Sequence, residues 1–195
     1  MNNKEKIKRE ALFLFAEKGF DKTSVREIAK KVGIRESAIY NHYKSKNEIF
    51  SELLSEAKSK LHSVNYFNDE LFELLPVPEK FFLQLTKIIL ENWSKSENKA
   101  YTKLIIQARF NSSIDFDFRL EEFFLSLRKV LEIVFTQLKN YEYVKNYPVD
   151  FLIDQYLSPL IVIKFKFLIN DFFDKEQVFT YATQQIKNYC SLILK

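Results

Sequence analysis

Residues 20–48 read FDKTSVREIAKKVGIRESAIYNHYKSKNE, and the placement of caps and glycine within this stretch decides the fold. Ser24 and Glu27 stand three apart ahead of Val25, Ile28, Ala29 and Val32. In that arrangement a hydroxyl and a carboxylate cap each other's backbone at a helix start. Gly33 ends the helix, because glycine enters the left-handed conformation of a helix terminus without steric cost. A second capping pattern, Ser45-Lys46-Asn47-Glu48, opens a further helix with apolar positions at Ile49, Phe50, Leu53, Leu54 and Ala57. Only about Arg35 to His42 remains between the two, so the helix there must be short. A helix, a Gly turn and a second short helix form the helix-turn-helix pattern.

Upstream, Ile7, Ala11, Leu14 and Phe15 fall at i, i+4, i+7 and i+8, one face of a helix over residues 4–18 that Gly19 closes. Downstream, longer apolar helices are expected near 78–95, 99–110, 117–140, 149–171 and 174–194. Their loops fall around Pro76-Val77-Pro78, Asn111-Ser112-Ser113 and Lys145-Asn146-Tyr147-Pro148. Two glycines and four prolines in 195 residues leave little turn chemistry for hairpins, which predicts an all-α chain.

A content of 47% apolar and 29% charged residues is that of a globular protein with a real core. Residues 1–60 hold 14 Lys and Arg against 9 Asp and Glu, a charge of +5, while the whole chain carries +4. The remainder is therefore near −1, and the excess positive charge sits at the end that would meet a polyanion. One cysteine, Cys190, and two histidines supply neither an internal disulfide nor the usual zinc site. A reducing cytoplasm is the expected setting, and no cofactor or metal is expected. The apolar run at residues 11–16 is too short for a signal peptide. The stretch 149–169 has the length of a membrane span but carries Asp150, Asp154, Lys164 and Lys166, so a buried helix is expected and no membrane partner. His42 and His62 are isolated, no Gly-rich phosphate loop is present, and the acids are scattered. Nothing in this points to an enzyme.

The runs from Phe20 to Ile34 and from Ser37 to Glu48 resemble the DNA-binding signature of the TetR family of bacterial repressors. The resemblance covers roughly residues 5–55; beyond them the chain resembles the family only in length and helix number. It implies an all-α homodimer with a three-helix reading head, a fourth helix as connector, and a larger helical domain for ligand binding and dimerisation. Residues 1–47 would be the DNA-binding domain and 48–195 the body, with the helix from about 45 as the connector. In that family an inducer spreads the two heads and releases the operator.

Arg35, Glu36, Ser37 and Asn41 are the candidates for reading double-stranded operator DNA. Arg pairs with guanine, Asn with adenine, and Glu accepts from cytosine. Tyr40, His42, Tyr43 and Lys46 match family positions near the DNA backbone. Ser24 and Arg26 add a hydroxyl and a cation at a helix start that already favours phosphate. For Tyr40 and Tyr43, packing into a small core explains the residue equally well. The body carries most of the 20 phenylalanines. They read either as core or as the wall of an apolar cavity, with Trp93, Gln107, Arg109 and Tyr156 as candidate ligand contacts. The resemblance places the dimer interface on the last two helices, where Val178, Ala182, Ile186, Tyr189 and Ile193 form a stripe; a role in the core alone accounts for the same stripe. The leading expectation is a repressor released from a pseudo-palindromic operator by a small apolar or aromatic inducer. The alternative is a DNA-binding protein of the same fold whose body binds a protein partner.

Overall fold

The structure, a computed structural model, describes residues 2–61, 66–111, 122, 124–168 and 174–195. Compactness divides the chain into two units, Met1–Leu61 with Ser96–Leu120, and His62–Lys95 with Glu121–Lys195. The cut expected after residue 47 is a division of roles; by compactness, the helix that follows it belongs with the head.

The first unit holds α1 (Asn3–Lys18), α2 (Val25–Val32), α3 (Glu36–Ile39), α4 (Lys46–Leu61) and, later in the chain, α7 (Ser96–Phe110). α1 begins with a capping box that the sequence reading passed over: the Asn2 side chain accepts from the Glu5 N–H and the Glu5 carboxylate accepts from the Asn2 N–H, each at 2.9 Å. α2 starts and stops at Ser24 and Gly33 as expected, and Gly33 is left-handed at φ 78°. α3 is shorter than expected, because the His42 and Tyr43 N–H groups both turn back to the Ile39 carbonyl, at 2.9 and 3.0 Å. α1 packs against α2, α4 and α7. Ile7, Ala11, Leu14 and Phe15 of α1 are buried, as are Ile28, Ala29, Ile49, Phe50 and Leu53 of α2 and α4, and the Phe15 ring lies 5.2 Å from that of Phe50.

The second unit contains α5 (Asp69–Phe72), α6 (Pro78–Ser94), α8 (Leu125–Asn140), α9 (Val149–Ile163) and α10 (Lys175–Ile193). α5 was not expected. α9 contains Pro159 and runs on into a wider, π-helical turn over Lys164–Leu168. The start of the helix expected at 117 and the end of that expected at 171 fall outside the described residues, as do His62, Ser112 and Ser113. α6 packs on α10, and α9 on α8 and α10. At the centre the Phe82 ring lies 5.2 Å from Phe135, 5.1 Å from Tyr156 and 5.9 Å from Tyr189. Among the described residues one antiparallel bridge, Val144 with Leu194, ties the segment after α8 to the end of α10.

The stripe on α10 requires a correction. Val178, Ala182, Ile186, Tyr189 and Ile193 are all buried in the chain's own core, and the Tyr189 hydroxyl donates to the Leu152 carbonyl at 2.8 Å. They are not available as a dimer interface, because helical periodicity marks a face that is covered without saying what covers it. Cys190 beside them is buried as well, and burial pushes its thiol up to about 12.

Ile186→Glu should therefore destabilise the single chain by about 4 kcal/mol or more, the range of an unpaired charge in a core. Ile133→Glu, on the exposed side of α8, should stay within about 0.5 kcal/mol of the parent. Urea unfolding followed by circular dichroism separates the two.

Candidate nucleic-acid interface

The interface is built on the turn that joins α1 to α2. Gly19 closes α1 at φ 85°, and its N–H donates to the Phe15 carbonyl at 2.8 Å. The buried Thr23 hydroxyl then donates to the Gly19 carbonyl at 2.8 Å and lies 3.3 Å from that of Leu14. Lys46, from the start of α4, completes the closure: its ammonium donates to the carbonyls of Phe20 and Thr23 at 2.7 and 2.8 Å and stands 4.2 Å from the centre of the Phe20 ring. Phe20 in turn packs 4.8 Å from Phe50.

α2 is held by its cap. Ser24 Oγ accepts from the Glu27 N–H at 3.2 Å and gives its proton to the Glu27 carboxylate at 3.1 Å. Lys18 Nζ donates to the same carboxylate at 2.8 Å. The Lys18 hydrogen bond, followed by those from Ser24, holds Glu27 at about 2, well below the usual carboxylate range.

α3 is anchored by the buried Ile39, while Arg35, Glu36, Ser37 and, just past its end, Asn41 are exposed. Arg26, Tyr40 and His42 are exposed too, Tyr40 at 52%. The exposed side chains of this segment thus include two guanidiniums, a carboxylate, an amide, hydroxyls and an imidazole. That is the donor and acceptor set needed for base edges and phosphates.

Three residues expected at phosphates have other work in this structure. The Tyr43 ring is core at 2% exposure, and burial together with the neighbouring Glu52 charge raises its phenol above the ordinary value. Ser24 has one proton to give and Glu27 takes it, whereas a phosphate offers only acceptors. Lys46 commits two of its three donors to backbone carbonyls. Thr23 was missed altogether; its one signal was a threonine directly before a capping serine and four residues after the helix-ending glycine.

The four ligand candidates are divided between the two units. Gln107 lies in the first unit, where its amide donates to the Ala16 carbonyl at 3.2 Å, and Arg109 on the same helix is exposed. In the second unit Trp93 Nε1 donates to the Tyr66 hydroxyl at 3.1 Å, and the Tyr156 hydroxyl is 3.0 Å from that of Thr86 in the core.

The model of the bacterial regulatory proteins of the tetR family matches residues 7–53, the span from the first buried residue of α1 to the middle of α4. Residues 7–53, the N-terminal head, are thus similar to the TetR family. Among curated relatives, the biofilm operon icaADBC HTH-type negative transcriptional regulator IcaR of Staphylococcus epidermidis is 41% identical over 68 residues, 35% of this chain and 34% of that protein. IcaR of Staphylococcus aureus strain Newman is 34% identical over 80 residues, 37% of this chain and 43% of its own. The chain thus spans less than half the length of the curated relatives it matches. Over the full length the likeness is one of fold. The ketosteroid transcriptional regulator KstR2 of Mycobacterium tuberculosis aligns with a TM-score of 0.64 at 20% identity, covering 100% of this chain and 96% of the other. A TetR-family regulator from Mesorhizobium loti aligns at 0.59 and 18%, covering 99% and 97%.

Two measurements test the architecture of the head. Lys46→Met keeps the aliphatic stem over Phe20 and removes the two charge-assisted hydrogen bonds, so it should lower the stability of the head by about 1.5–3 kcal/mol. Hydrogen exchange of the α1 and α2 amides reads this in the absence of DNA. Glu27 has a lowered pKa when folded, so its contribution is complete above its ordinary value of 4.5 and is lost as pH falls toward about 2. The gap in thermal midpoint between the parent and Glu27→Gln should accordingly be constant near neutrality and close progressively through that acid window.

Proposed function

We propose that this chain, with its TetR-like head, is a DNA-binding transcriptional repressor of the TetR family that acts as a cytoplasmic homodimer. Its two heads read a pseudo-palindromic operator, and a small apolar or aromatic ligand bound by the body releases it. The observation that carries the reading is α3: Ile39 is buried while Arg35, Glu36, Ser37 and, past its end, Asn41 stand exposed. That geometry suits a short helix lying in a major groove with its polar side on base edges. The net charge of +5 over residues 1–60 supports attraction to phosphate. The similarity of the N-terminal third to IcaR, named as a negative transcriptional regulator, supports repression as the direction of control. Regulation rather than catalysis is the role the likeness to the family supports.

On this reading Arg35, Glu36, Ser37 and Asn41 contact bases, and Arg26, Tyr40 and His42 contact phosphates. One head touches few bases, so two heads about 34 Å apart are needed for useful specificity. With the α10 stripe buried, the pairing surface falls to the outer sides of α9, the π-helical turn after it, and α10, where Val162, Phe165, Tyr181 and Leu192 are exposed at 51%, 40%, 37% and 66%. No helix among the described residues is long and apolar enough to cross a membrane.

The test is fluorescence anisotropy on duplexes selected from a random pool, run at several salt concentrations. Affinity should fall steeply with salt, and Arg35→Ala or Asn41→Ala should cost about 1–3 kcal/mol on the selected site and much less on random DNA. Equal losses on both duplexes would move those residues to the backbone class. An affinity independent of salt would refute DNA binding by this surface.

A further inference from the structure

We propose that the groove between α6 and α10 is a binding site for a small amphiphilic anion, a molecule with one anionic head and an apolar tail or ring. The groove lies wholly within the second unit and has a volume of about 420 Å³, within the range of about 300–1,000 Å³ typical of small-molecule sites. Its floor is apolar. Leu90 and Ala182 are buried at 1% each, while Leu83 and Phe179 are only half-covered and present carbon to the opening. The small side chain of Ala182 is what leaves depth between the two helices.

The rim has one sign of charge. Lys80, Gln84 and Lys87 follow one another at i, i+4 and i+7 along α6, so both ammonium groups rise from the same side of the groove. All three are exposed, and among the described residues neither lysine has an ion-pair partner. Thr183 on α10 adds a hydroxyl, and no carboxylate lines the groove among the described residues. A third cation, Lys175, stands 5.5 Å from the centre of the Phe179 ring. Cations over an apolar floor repel a second cation and leave a neutral polar ligand without a matched head. They suit an anion whose carbon body covers Leu83 and Phe179 while its head lies between Lys80 and Lys87. The proposal rests on the reading of the chain as a ligand-responsive regulator only for its consequence at DNA; binding in the groove does not depend on it.

Isothermal titration calorimetry of the full chain with octanoate, below its micelle concentration, tests the site. One octanoate should bind per chain, and octan-1-ol, with the same tail and no charge, at least tenfold more weakly. Lys80→Gln/Lys87→Gln and Lys80→Glu/Lys87→Glu should each weaken octanoate at least tenfold, with the fold confirmed by circular dichroism. Phe179→Ala should weaken octanoate and octan-1-ol alike. Absence of octanoate binding, equal affinity for octan-1-ol, or unchanged affinity in both lysine variants would overturn the proposal. Anisotropy on operator DNA with and without octanoate separates the two readings. Binding in the groove with no change at DNA leaves the site standing and overturns ligand control through it.

Discussion

Everything α3 presents depends on five residues of turn, 19 to 23, whose carbonyls must be satisfied without regular structure. An unpaired buried carbonyl costs roughly what a hydrogen bond contributes, and a turn of this length between two helices has few backbone donors to offer. The chain answers with side chains from three places. Thr23 ties the turn back to α1, Lys46 reaches over from α4 to two carbonyls, and Glu27 holds α2 to Lys18 at the end of α1. The Phe20 ring packs against Phe15 and Phe50 and adds an apolar contact to the closure. The angle between α1 and α2, and through Ile39 the seat of α3, follows from that closure. A residue such as Lys46 can thus be indispensable to the shape of the proposed DNA-binding surface without having to touch DNA.

The body obeys a different constraint, that of filling a helical core with rings. Phe82 is surrounded by Phe135, Tyr156 and Tyr189, and the two tyrosines need acceptors or donors inside it. They find them in Thr86 and in the Leu152 carbonyl. With those bonds made, Tyr156 and Tyr189 are fixed elements of packing. Their polar ends face inward, and the surface of α6 and α10 is left to other residues.

How far the sequence could be read follows from how local each signal is. The cap at Ser24 and the stop at Gly33 were legible because the partner of each group lies within a turn of it. The end of α3 was not, since Ile39 gives its carbonyl to both His42 and Tyr43 and no residue type announces that choice. Tyr43 and the α10 stripe were ambiguous for a shared reason. Periodicity and ring chemistry say that a side chain is covered, whereas the covering element lies far away in sequence and leaves no mark nearby. The residues guessed for a ligand failed the same way: Gln107 and Tyr156 are polar groups in apolar helices, and each has found a distant internal partner. The exposed residues of α3 were legible because its one large apolar residue, Ile39, divides the inside of a one-turn helix from its outside.

Cys190 gives the body a built-in clock. Alkylating reagents attack the thiolate, and this thiol is both covered by the core and pushed far from ionising at neutral pH. In the closed molecule it is chemically silent. Each labelled molecule therefore records an event in which α10 lifted away from its neighbours, and the rate at which label accumulates reports the opening frequency of the body at a single sulfur. Because the chain contains no second cysteine, the record is free of background, and breathing of the body can be followed by mass spectrometry without introducing any foreign group.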